Sequence, residues 1–399
     1  MSLTQRIRSL SEEYHEDLRY IRRHLHQHPE LSFQEHQTAA FVSRQLTEMG
    51  LQPQEGVAGT GVVALIAGKN PEKHTVGLRG DMDALPIHEE NDVPYRSQNE
   101  GVMHACGHDV HTTSLLGAAR ILNQCRDEFE GTVKLIFQPG EERVPGGASQ
   151  MIQAGVLDNP NPRTMLGQHV MPYLPVGTVG FRGGEYMASA DELYITVTGK
   201  GGHAAMPEYF NDPVLAASQL VVNLQQIISR KANPRHLSVL SFGHFQTQAP
   251  PSTNVIPDRV ELAGTFRTLD PEWREMALEH LRNIAEGTAK ACGVSVDLNI
   301  KRGYPPLKND PEVVARSKAA AEAYLGAENV VDLDIWMAAE DFAFFAQERP
   351  SCFYRLGTRN EARGITSSVH TSTFDVDEDA LPIGAGLLAW LAVNELQKV

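Results

Sequence analysis

Cys106 and His108 stand two residues apart in Met103-His104-Ala105-Cys106-Gly107-His108-Asp109-Val110-His111. On an extended loop the side chains at i and i+2 point the same way, and a thiolate with an imidazole binds borderline-soft divalent cations. The cluster reads as half of a metal site. The blander alternative is a buried free cysteine beside polar loop histidines, so the rest of the chain has to decide.

Four more segments carry residues that ligate metal or move protons. Gly77-Leu78-Arg79-Gly80-Asp81-Met82-Asp83 sets two carboxylates just past a predicted strand, and Phe137-Gln138-Pro139-Gly140-Glu141-Glu142 does the same with a Glu pair. Met165-Leu166-Gly167-Gln168-His169 ends a strand on a histidine, and Val369-His370-Thr371 supplies another late in the chain. Taken singly, such acids cap turns or face solvent. Taken together they point to one metal centre, because ligands in open α/β sheets gather beyond the carboxyl ends of strands. Neighbouring residues on an extended backbone face opposite ways, so one of Glu141 and Glu142 can ligate while the other takes a proton. A free carboxylate beside a divalent cation is the general base of metal-assisted hydrolysis.

The elements that must position these residues follow from periodicity. Apolar residues from Ile7 to Leu25 at steps of three and four predict an amphipathic N-terminal helix, not a signal-peptide core. Strands are expected at 61–67, 74–79, 132–138 and 164–169, with a helix over 112–124, which indicates an α/β mixed sheet flanked by helices. After Gly183-Gly184, a plausible hinge, the order becomes strand, helix, strand, strand, helix, strand. The strands are 192–198, 237–245, 259–267 and 294–301, and the helices open at Asp212-Pro213 and Asp270-Pro271, with Asp as N-cap and Pro at the first helical position. That order is a ferredoxin-like α+β unit. It divides the chain into a catalytic domain of residues 1–187 and 305–399 and an inserted domain of residues 188–304. The last part opens a helix at Asp310-Pro311 and closes with an apolar helix from Ala380.

Composition narrows the class. A net charge of -15 with no basic run opposes nucleic acid and anionic membrane as partners. Four scattered cysteines, Cys106, Cys125, Cys292 and Cys352, fit a reducing compartment and free thiols, so a cytoplasmic location is expected. The longest apolar stretch, 381–393, is too short to span a bilayer.

Five segments give a more specific resemblance: Arg79-Gly80-Asp81-Met82-Asp83-Ala84-Leu85-Pro86, His104-Ala105-Cys106-Gly107-His108-Asp109, Phe137 to Glu142, Gly201-Gly202-His203-Ala204-Ala205-Met206-Pro207 and Ala339-Glu340-Asp341-Phe342. With His28-Pro29-Glu30-Leu31 before them and His370 after them, they resemble the di-metal amidohydrolase and metallopeptidase family in order and over nearly the whole chain. That family includes aminoacylases, hippurate hydrolases and auxin-conjugate hydrolases, with carboxypeptidase G more distant. The resemblance implies two divalent ions per subunit, with Cys106, His108, Glu142, His169 and His370 as ligands and Glu141 as general acid/base. It implies that Asp83 orients the site, and that His203 reaches a neighbouring subunit's site to stabilise the oxyanion. Asn254 and Arg267 match polar positions near the substrate. The inserted domain would act as a lid/dimerisation domain in a homodimer or dimer-based oligomer. Zinc or manganese leads as the metal, with cobalt and nickel as alternatives.

The implied reaction is hydrolysis of the amide bond of an N-acyl amino acid, Glu141 taking a proton from water and returning it to the leaving amine. Rival readings are a metallocarboxypeptidase or dipeptidase, a carbamoyl-amino-acid hydrolase, and, in a different class, a non-catalytic binding protein. The sequence departs from the family pattern at Gly140, where Ala is frequent, at Arg143-Val144-Pro145, where a Gly-rich run is common, and at Ser372, where Pro is common. None of these removes a ligand.

Overall fold

The computed structural model describes residues 1–247 and 252–398, which form two compact units. The first comprises Met1–Tyr186, Lys308–Ile335 and Asp341–Val399. Its core is an eight-stranded sheet in the order Gln54–Val57, Gly61–Ala67, Thr132–Gln138, Thr75–Asp81, Thr164–Pro175, Ser351–Arg359, Val179–Phe181 and Val330–Asp332. The strands at 132–138, 75–81, 164–175 and 351–359 run parallel to one another. Every residue of Thr75–Asp81 and Thr132–Gln138 is buried, as expected of parallel strands covered on both faces.

Two helices supply much of that cover. His108–Gln124 buries Leu115, Leu116, Ile121 and Leu122, and Ala380–Leu396 is apolar on nearly all sides and packs against it. Register decides where the chemistry lies. Asp81 is level with Gln138, Arg79 with Gly167 and His169 with Arg355, so the carboxyl ends of three parallel strands and their following loops converge.

Several local expectations change. The single N-terminal helix is two, Leu3–Glu13 and His15–Gln27, interrupted at Tyr14. The helix expected over 112–124 starts at His108, so Cys106 and His108 are not on an extended loop. Residues 105–106 form a turn, Gly107 takes the left-handed conformation at φ +80°, and His108 opens the helix. The strand Ser351–Arg359 was not anticipated, since Ser351, Arg355 and Thr358 are buried together with its apolar residues and leave neither an alternation nor an unbroken apolar run to read.

The second unit comprises Met187–Leu307 with Trp336–Glu340. Its four-stranded antiparallel sheet has the order Ser238–Thr247, Arg259–Thr268, Asp191–Thr198 and Ser295–Arg302. The helices Pro213–Leu224 and Pro271–Cys292 cross between them in sequence, giving the ferredoxin-like pattern. Asp212 accepts from Val214 and Leu215 N–H and Asp270 from Trp273 N–H, so both predicted Asp-Pro starts are capped as expected. Leu193, Ile195, Val197, Leu220, Val260, Leu262, Phe266 and Trp273 fill the core between sheet and helices.

Candidate metal centre

Six side chains of the first unit meet around the strand ends, although His169 does not end its strand as expected: Thr164–Pro175 runs on past it, and His169 reaches the cluster from within the strand. Cys106 Sγ lies 3.5 Å from His169 Nε2 and 3.3 Å from His370 Nε2. Glu142 Oε1 lies 3.2 Å from His370 Nε2 and 4.0 Å from His108 Nε2. The sets Cys106/His108/His169, Cys106/Glu142/His370 and His108/Glu141/Glu142 each offer three ligand atoms within 4.8 Å of one another. All are buried apart from half-buried Glu142 and exposed His370. His370 is brought in by its backbone, whose N–H donates to Ala105 C=O at 2.7 Å, and it holds a left-handed φ of +62°.

Hydrogen bonds fix which atoms are available. Asp83 Oδ1 sits 3.2 Å from His108 Nδ1, which holds a ring proton there and turns Nε2 toward the cluster, where a cation would take the place of its second proton. His169 Nδ1 donates to Val170 C=O at 2.7 Å, which likewise directs its Nε2 at Cys106. His111 and Asp81, also close to His108, are excluded as ligands by the same logic. Val170 N–H donates to His111 Nε2 at 2.9 Å and His111 Nδ1 donates to Asp81 at 2.6 Å, so neither ring nitrogen is spare.

The donor set fits a divalent cation. His108 Nε2 and Glu142 Oε1 are buried atoms with no partner in hydrogen-bonding geometry, an arrangement that natural proteins rarely tolerate without a ligand. Burial, and then Glu142 and Glu141, push the Cys106 thiol well above its ordinary range. Burial opposes protonation of His108, but Asp81 and Asp83 outweigh it and push its pKa up to about 10. Burial holds His169 well below the imidazole range, with Arg355 adding to the effect. A crowd of acids around a thiol and two imidazoles is a site that a cation would stabilise.

Glu141 and Glu142 do not face opposite ways. Gly140 takes φ +60°, the chain bends after Gln138, and both carboxyls reach the His108 cluster. Glu141 is buried, and its Oε1 accepts from Asp341 N–H at 3.4 Å. Asp83 is buried and holds His108, Ser32 Oγ and Glu142 N–H at once. The three remaining candidates belong to the second unit. His203 is exposed and pairs with Val255, and Ala205 N–H donates to its Nδ1 at 3.1 Å, which leaves Nε2 to carry the proton. Asn254 is exposed, and its C=O accepts from Ala204 N–H. Arg267 is half-buried and donates to Met337 C=O at 3.1 Å.

Sequence reasoning gave no role to His111, Arg79, Gln138 or Asp341, although all lie inside or beside the motifs. Asp341 accepts from Arg79 Nη2 at 2.8 Å, Gln138 Nε2 at 2.8 Å and Ala148 N–H at 3.0 Å, and Arg79 also pairs with Asp81. This buried network supports the strand ends that carry the Glu pair and the aspartates.

Residues 77–394 match peptidase family M20/M25/M40. An N-acetylcysteine deacetylase of Bacillus subtilis is 40% identical over 391 residues, covering 97% of this chain and 98% of that protein. Thermostable carboxypeptidase 2 of Saccharolobus solfataricus is 37% identical, with 99% of each chain covered. The crystal structure of the Bacillus subtilis YXEP protein, described as a dinuclear metal binding peptidase from the M20 family, superposes with a TM-score of 0.82 at 37% identity, covering 97% of this chain and all of that one. The chain belongs to peptidase family M20/M25/M40 and is a hydrolase of amide bonds.

Proposed function

We propose that this protein is a metal-dependent amidohydrolase that cleaves N-acyl amino acids into a carboxylic acid and a free amino acid. One observation carries the reading: His108 Nε2 and Glu142 Oε1, buried and without a partner in hydrogen-bonding geometry, stand in a cluster with Cys106, His169, His370 and Glu141. The overlap of three ligand sets through Cys106, His108 and Glu142 suits two neighbouring cations, zinc or manganese first. Bound there, divalent metal supplies Lewis acidity and water of lowered pKa.

The chain's own residues supply the rest. Glu141 takes a proton from the attacking water and returns it to the departing amine nitrogen, and its burial keeps bulk water from competing. Asp83 keeps the His108 proton on Nδ1, away from the cluster. His203, with Nε2 as its proton-bearing nitrogen, donates to the developing oxyanion, and Asn254 and Arg267 bind the substrate's polar end. The ferredoxin-like unit serves as lid and dimerisation domain, supplying His203 in trans. Similarity to an N-acetylcysteine deacetylase supports an N-acyl amino acid as substrate. Similarity to an archaeal carboxypeptidase supports a second reading, release of a C-terminal residue from a short peptide.

The test is amino-acid release from a panel of N-acetyl, N-benzoyl and longer N-acyl amino acids beside dipeptides and N-carbamoyl amino acids, with chelator and with metals restored. Chelator-sensitive turnover of the N-acyl set supports the proposal, and turnover confined to peptides moves the assignment to the carboxypeptidase. Glu141→Gln should keep its metal and lose nearly all turnover. Mixed dimers of His203→Ala and Glu141→Gln subunits should regain partial activity if His203 acts in trans.

A further inference from the structure

Glu141 sits on a bend between two backbone amides, and each amide is held by a different buried carboxylate. Gly140 N–H donates to Glu35 Oε1 at 2.8 Å, and Glu142 N–H donates to Asp83 Oδ2 at 2.9 Å. Both carboxylates also hold one distant loop. Phe33 N–H donates to the same Glu35 Oε1 at 2.8 Å, and Ser32 Oγ donates to the same Asp83 Oδ2 at 2.6 Å. The other oxygen of Glu35 accepts from Thr60 Oγ1 at 2.6 Å.

Two features make this more than packing. Glu35 is fully buried, yet its hydrogen-bond partners are two amides and a hydroxyl, with no cation among them, and a buried carboxylate of that kind is costly to keep. Phe33 and Gly140, whose N–H groups share one Glu35 oxygen, both hold left-handed backbone at φ +64° and +60°. A bulky aromatic residue is strained there, and such strain persists only where the surroundings over-determine it, most often at functional sites. Together the ties fix the path of the chain into and out of Glu141.

We propose that the loop Ser32–Glu35 is the positioning element for the Glu141 carboxyl. Glu35 is the positioning residue acting through Gly140, and Ser32 acts through Asp83. The inference rests on the reading of Glu141 as general base. It differs from that reading in predicting a loss of geometry and not of the proton acceptor itself.

The experiment compares Glu35→Ala, Glu35→Gln, Ser32→Ala and Glu141→Gln by hydrogen–deuterium exchange, metal content and steady-state kinetics on N-acetylcysteine. In Glu35→Ala, amides of the peptide spanning 138–146 should exchange faster while metal content holds. Its kcat should fall by about 10²-fold at nearly unchanged KM, the scale set by misplacing a reacting group by an ångström. Glu35→Gln keeps an acceptor oxygen and should restore both protection and most of kcat. Ser32→Ala should lower kcat by roughly tenfold through the lost bond to a charged group. Wild-type protection of 138–146 in Glu35→Ala, or a loss confined to KM or metal content, overturns the proposal. If Glu35→Ala does not fold, Ser32→Ala decides, and wild-type exchange in that variant overturns it. An active Glu141→Gln shows instead that the general-base reading has failed.

Discussion

His108 and Asp83 face each other at 3.2 Å, and that contact decides which imidazole nitrogen is left for a cation. Burial would raise the Asp83 pKa, but hydrogen bonds from His108, Ser32 and the Glu142 amide outweigh it and hold the carboxyl below its usual value. Asp83 therefore stays ionised near neutrality and keeps the proton on His108 Nδ1. Asp83→Asn should weaken metal affinity by about 10- to 100-fold, as loss of an orienting partner does. Competition with a metal-sensing chelator measures this, and wild-type affinity in the variant would remove Asp83 from the role.

Gly140 has a reason of its own to be glycine. A Cβ built there would lie 2.4 Å from the Phe33 ring, and φ is +60°. Gly140→Ala should cost about 1–2 kcal/mol from the left-handed backbone alone. Overpacking against the ring should add about 1–3 kcal/mol. In a Phe33→Ala background only the backbone part should remain. Chemical denaturation of the wild type, the two single variants and the double variant checks it, and equal costs in both backgrounds would mean that the ring is not the obstacle.

Glu89 predicts how the protein responds to acid. Burial would raise its pKa, yet bonds from His26 at 3.1 Å, Ser97 N–H at 2.7 Å and Asn91 at 3.1 Å lower it below the usual 4.5. A carboxyl with a depressed folded-state pKa contributes stability above its unfolded value and loses it as pH falls through the folded one. Melting temperature should therefore drop below about pH 4.5, and Glu89→Gln should flatten that limb while being less stable near neutrality. Parallel acid limbs in both proteins would exclude Glu89 as a contributor.

Metal removal should cost stability as well as activity. Asp81, Asp83, Glu141 and Glu142 crowd around His108, and a cation that binds only the folded state at 100 times its dissociation constant adds about 2.7 kcal/mol. Chelation should lower the melting temperature, and zinc or manganese should restore it. An unchanged melting temperature after verified metal removal would argue against a structural share for the ions.

How much of this was legible in residue order varies from one part to another. Asp-Pro starts at 212, 270 and 310 announced three helices, because an N-cap and a proline act on the next few residues alone. Thr132–Gln138 was readable as an alternating strand, and the candidacy of Cys106, His108, Glu141 and Glu142 as ligands or proton acceptors was readable from residue type. Their geometry was not. The left-handed Gly107 and Gly140 turn both segments away from the extended form, and that depends on what packs against them, Val170 over Gly107 and Phe33 over Gly140. The strand 351–359 gave no pattern to detect, because buried Ser351, Arg355 and Thr358 interrupt its apolar residues.

Residue types and their spacing determined that this chain carries candidate ligands, a candidate general base and two kinds of fold unit. Only the tertiary structure decided which nitrogens face the cluster, because a histidine's tautomer is set by partners such as Asp83 and Val170, 25 and 59 residues away from His108 and His111. It also decided that Asp81 and His111 support the site instead of ligating, since the parallel register puts Val170 N–H on the one ring nitrogen that His111 had left.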